Sequence, residues 1–130
     1  MDFVVDFDAK NNILRWTLED EVTDAVLLDF YAVATKYAAS HPPCRSIIDF
    51  SKVTDFHVSS ETVRQVAAAP TALPAQYLRV IVIPSDFIYG MGRMFQILSE
   101  KTRPELHVVR TMDEAYRLLH VESPEFGSLT

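Results

Sequence analysis

Ser46–Ala69 reads SIIDFSKVTDFHVSSETVRQVAAA, and its succession of residue types is that of a strand, a loop and a helix. From Cys44 to Phe50 the run is short and apolar, with Ile47 and Ile48 adjacent as in a strand covered on both faces. Asp49 stands near its end, a polar loop follows, and Ser59-Ser60 opens an amphipathic segment. That helix carries Val63, Val66 and Ala67 inward and stops before Pro70. Its first turn leaves backbone N–H groups unpaired, so an oxygen or an anion there is stabilised. Ser59 and Ser60 are therefore a candidate phospho-acceptor or anion site. The plainer alternative is a helix N-cap worth about 1 kcal/mol.

Strand and helix signals alternate on both sides of this stretch. Upstream, Phe3, Val5 and Phe7 alternate along one extended run, and Leu14, Trp16 and Leu18 along another. Asp8-Ala9-Lys10-Asn11-Asn12 between them has turn chemistry, which predicts an antiparallel hairpin. Thr23 caps a helix with Val26, Leu27, Phe30, Val33, Ala34 and Tyr37 on one stripe, and Pro42-Pro43 forbids its continuation. Downstream, Leu78–Ile83 (LRVIVI) is the most strand-like run and is expected at the centre of the sheet. A helix follows Ser85-Asp86, then a strand over Leu106–Arg110, and Thr111 with Glu114 forms a capping box for a last helix. The expected fold is α/β, a single-domain mixed sheet of about five strands with about four helices, in the order β-β-α-β-α-β-α-β-α. Residues 1–121 make the domain, and 122–130, polar with Pro124 and Gly127, a flexible tail.

Composition limits the function classes. At 130 residues the chain is long enough to bury roughly two-thirds of its unfolded surface. No apolar run nears the ~20 residues that span a bilayer, and MDFVVDFD lacks the basic segment of a signal peptide. A single cysteine, Cys44, is in keeping with a cytoplasmic protein, and no membrane insertion is expected. A net charge of −6 argues against nucleic acid as a partner. His41, His57, His107 and His120 stand singly without companions at ligand spacing, so no metal and no other cofactor is expected.

The element order, with Ile48–Thr54 running into Val58-Ser59-Ser60, resembles the STAS domains of bacterial anti-sigma-factor antagonists. It is closer still to the broad bacterial family described as STAS-like, in which a segment like Tyr89–Phe95 recurs after an apolar-Pro strand end. The resemblance spans roughly residues 3 to 120. It implies a regulatory module whose first serine, matched by Ser59, is phosphorylated by a partner kinase. Two departures weaken that switch: Val58 replaces the preceding acidic residue and Glu61 the following glycine, and Glu61 would repel a phosphate.

Three function classes follow. The first is a non-enzymatic regulatory or protein-interaction module, its partner another protein or a second copy in a homodimer. Its candidate binding surface is Asp49, Asp55, Phe56, His57, Phe87, Tyr89 and Arg93. The second is a carrier for a small apolar or anionic ligand at the C-terminal strand ends, between Ser51–Ser59 and Ser85–Arg93. Asp49 and Ser59 are expected to meet at that rim. The third is an enzyme using Asp49, Asp55 or His57 as acid or base; alternate residues in one loop seldom converge on one proton path, and no catalytic residue is assigned. Gly90 and Gly92 each cost a helix about 1 kcal/mol, which predicts close packing against a strand or a second subunit. Arg93 beside them is a candidate anion ligand at the helix start.

Overall fold

The computed structural model describes residues 2–71 and 73–129. Strands β1 (Phe3–Asp8) and β2 (Ile13–Thr23) form the antiparallel hairpin, followed by α1 (Asp24–Ser40), β3 (Arg45–His57), α2 (Ser60–Ala68), β4 (Arg79–Val82), α3 (Asp86–Leu98), β5 (Leu106–Val109), α4 (Met112–Leu119) and β6 (Gly127–Ser128). The fold is α/β, a mixed six-stranded sheet in the order β5-β4-β3-β2-β1-β6 with four helices. Strands β2 to β5 are parallel, and β1 and β6 are antiparallel to their neighbours.

The topology decides which face each helix covers. The crossovers β2-α1-β3, β3-α2-β4 and β4-α3-β5 all step the same way across the sheet, so one handedness puts all three helices on one face. Phe30, Val63 and Ile88 there join Leu14, Trp16, Leu18, Ile81, Ile83 and Val108 in the larger core. Helix α4 follows the edge strand β5 and covers the other face, where Ala115 and Leu119 meet Ile13, Ile47, Val80 and Val82. Strand β4 is fully buried yet lies one place in from the edge, which corrects its expected central position. Its continuous apolar run reflects helices on both faces; β2 and β3 hold the centre.

Two further corrections concern length. The segment expected as a polar loop, Ser51 onward, continues β3 to His57, paired with the equally polar end of β2. Register shifts between Thr17 and Glu19 and between Asp20 and Glu21 give β3 two extra residues relative to β2, and Asp20 takes a left-handed φ of 60°. Such bulged, two-sided polar pairing has no apolar alternation to announce it. After α4, residues 127–128 pair with Asp6 and Phe7 of β1, adding the sixth strand. Asp8 anchors both that return and the hairpin turn. Its buried carboxylate accepts from the backbone N–H (3.0 Å) and Nδ2 (2.7 Å) of Asn11 and from the N–H of Glu125 (3.1 Å).

Candidate functional site

Ser59 is the N-cap of α2. Its extended backbone (φ −77°, ψ 154°) stops the helix, and its Oγ accepts from the N–H of Thr62 at 3.2 Å. The cap is also clamped from α1: Asp24 Oδ1 accepts the Ser59 N–H at 2.8 Å, and both Asp24 oxygens lie within reach of Ser59 Oγ. The Ser59 N–H, with the hydroxyls of Thr62 and Ser59, outweighs partial desolvation and holds the Asp24 carboxyl below its ordinary value. A phosphate on Ser59 would face Asp24 as well as Glu61. Ser60 is the exposed first residue of α2.

Asp49 and Ser59 do not meet. Asp49 is buried within β3, opposite Thr17 and Val82, on the face that carries α4. Its Oδ1 accepts the N–H of Ser51 at 2.9 Å at the first bulge, and it lies in the field of Arg15 and Tyr116. The separation arises because β3 runs eight residues beyond Asp49 before the chain turns to α2.

The rest of the expected surface divides into small groups. Phe56 sits edge-to-face with Phe50 (6.2 Å) and with Phe87 (6.5 Å), and Phe87 is 67% exposed. Asp55 and His57 lie on the polar ends of the central strands, with His57 Nε2 3.8 Å from Glu21 and Asp55 accepting from Thr54 Oγ1. Tyr89 turns away to lie under the Arg110 guanidinium at 4.7 Å, and Arg110 in turn bonds Asp86 and the carbonyl of Pro84. Arg93 is two turns into α3, where it donates to Gln96, so it is not at the helix start. A Cβ on Gly92 would collide with Ile83 and crowd Val108, the close strand packing expected of it; Gly90 faces open space.

The main apolar concavity lies elsewhere. Between the three-helix layer and the sheet is an apolar chamber of about 190 Å³, lined by Trp16, Phe30, Ile48, Ile81, Met91 and Phe95 among others. It exceeds the ~150 Å³ apolar cavity that admits benzene. Phe56 and Ile83 bound it toward the C-terminal strand ends, whereas exposed His41, Pro42 and Pro43 bound it at the opposite edge. This differs from the expected site between the strand-end loops. Small residues line the chamber at Ala34, Ala38 and Ser46.

Charge enters the chamber at that edge. Leu14, Ser46, Arg79 and Leu106 are register partners across four strands and share the helix-covered face. Arg79 is only 6% exposed. Its Nη2 donates to the Leu73 carbonyl at 2.7 Å and approaches Thr71 Oγ1 at 3.4 Å, and its buried Nη1 has no partner among the described residues. Arg103, also buried and lining the chamber, donates to the carbonyls of Val66, Ala67 and Ala69 and so closes the C-terminus of α2. Burial and the neighbouring Arg103 push the Arg79 guanidinium down to about 10; burial lowers Arg103 as well. Among the described residues no carboxylate forms an ion pair with either.

Reading the chain alone missed both arginines. The signal for Arg79 was its alternate spacing with Ile81 and Ile83, which puts it on their face; Arg103 carries no such mark. Compared with known proteins, the chain matches no family model, no curated protein and no solved structure.

Proposed function

We propose that the chain works by binding and not by chemistry, as a regulatory module of the STAS-like kind that holds a small apolar ligand between its helix layer and its sheet. The observation that carries this is the chamber itself. A well-packed domain leaves few voids larger than a water molecule, and this one keeps about 190 Å³ walled by aromatic and branched side chains. Concave, mostly apolar sites with a few polar groups are the usual form of small-molecule sites. Trp16, the only tryptophan, lines the chamber and reports on its contents. Titration with 1-octanol is expected to change Trp16 emission saturably and to raise the melting temperature. An emission trace that stays flat, with no thermal shift, overturns the reading.

A second reading, a protein-interaction surface, is favoured by Phe87. A phenylalanine 67% exposed beside Phe56 at the sheet's C-terminal rim is a natural anchor for a partner protein. Affinity capture with wild type and Phe87→Asp tests it; recovery of the same proteins by both excludes that surface.

A further inference from the structure

The chamber contains one feature that a purely apolar ligand leaves unanswered: two buried cations of like sign. We infer that its ligand is a medium-chain carboxylate, with the head group on Arg79 Nη1 and the tail along the chamber toward Phe56. This rests on the chamber being a ligand site and adds what it selects.

The geometry specifies the head group. A buried charge is costly unless paired and hydrogen-bonded. Arg79, which lines the chamber, makes its hydrogen bonds through Nη2, to Leu73 and Thr71, while its Nη1 is buried and unpartnered. Its charged neighbour is Arg103, whose repulsion an anion between them would turn into attraction. The Arg103 nitrogens are already committed to the carbonyls of Val66, Ala67 and Ala69 and to Thr102 Oγ1, so Arg103 supplies field and Arg79 the direct bond. One free donor edge suits a singly charged carboxylate better than a phosphate, whose three acceptor oxygens would outnumber it. The tail length follows from volume. About 190 Å³ is somewhat more than the ~150 Å³ apolar cavity that admits benzene, which suits a chain of medium length. The exposed His41–Pro43 turn bounds the same edge of the sheet as Arg79 and gives the head group its way in.

The test compares octanoate, 1-octanol and octyl phosphate by Trp16 emission and calorimetry, on the full chain and on Arg79→Met. The methionine keeps an unbranched apolar stem without the charge. Wild type is expected to bind octanoate about 10- to 100-fold more tightly than octanol, the value of a charge-assisted hydrogen bond. Arg79→Met, shown to be folded by a wild-type far-ultraviolet circular dichroism spectrum and a cooperative urea transition, is expected to lose that preference; a folded variant that keeps it overturns the assignment. Equal binding of octanoate and octanol by wild type overturns the head-group assignment and leaves the chamber reading standing. Octyl phosphate binding more tightly than octanoate overturns the carboxylate. Failure of all three probes removes the chamber reading and this inference together.

Discussion

At Ser59 one hydroxyl and one N–H serve two helices, because the oxygen that caps α2 is held by the carboxylate in the first turn of α1. Ser59→Ala is therefore expected to lower stability by about 1 kcal/mol, the usual cost of a lost cap, read as a reduced urea midpoint at unchanged slope. Ser59→Asp keeps a capping oxygen but sets a third carboxylate beside Asp24 and Glu61, so it should be less stable than Ser59→Asn, with the gap narrowing in high salt. The two helical glycines make a sharper contrast. Gly90→Ala adds a methyl in open space and should stabilise by roughly 0.5–1 kcal/mol. Gly92→Ala gains the same helix propensity but pushes against Ile83 and Val108, an overpacking cost of about 1–3 kcal/mol, so it should rank below Gly90→Ala in thermal denaturation. Which residues were legible in the chain follows from how local their roles are. The caps Thr23, Ser59 and Thr111 bond within three residues of themselves, and each sits where its local pattern put it. Arg79 reaches loop atoms six and eight residues back and an arginine on another element, and no local pattern encodes that.

At the scale of elements, strands recognisable by apolar alternation were placed well and those held by polar pairing were not. The outer half of β3 and the two-residue β6 owe their pairing to neighbours distant in sequence, so propensity within each segment says little about them. Strand β6 also depends on a charge. Burial works to raise the Asp8 carboxyl, but hydrogen bonds from the Asn11 side chain and from the N–H groups of Glu125 and Asn11 outweigh it and hold Asp8 below its ordinary value. A depressed carboxyl contributes stability that is present above its unfolded value of about 3.9 and is lost as pH falls through the folded one. Asp8→Asn should thus be less stable than wild type at pH 7, and the two should converge as the pH drops below about 4 in parallel urea titrations. Equal stability at pH 7 would show that the Asp8 anchor contributes nothing to holding the hairpin turn and the returning chain.

For the whole molecule the question is whether the space between helices and sheet is a working feature or slack. Enclosed voids left in cores cost about 24 cal/mol per Å³, so a space of about 190 Å³ forgoes at most about 4–5 kcal/mol, a large share of a domain's net stability. A chain that gives this up while burying two guanidinium groups, Arg79 and Arg103, along the same wall, within a molecule of net charge −6, has set part of its positive charge where solvent barely reaches it. The outer field slows an approaching anion, and the inner one holds it. Filling the space from within separates a persistent chamber from a collapsible one. Ala34 is half-buried on α1 and lines the chamber wall. If the chamber persists in solution, Ala34→Leu finds room and raises stability by about 0.5–2 kcal/mol, as cavity-filling changes do, while weakening octanol binding. If the helices settle onto the sheet instead, the same leucine overpacks a closed core and lowers stability by about 1–3 kcal/mol. The sign of the shift in the urea midpoint therefore decides between the two, and the expectation is a rise accompanied by loss of the octanol response of Trp16.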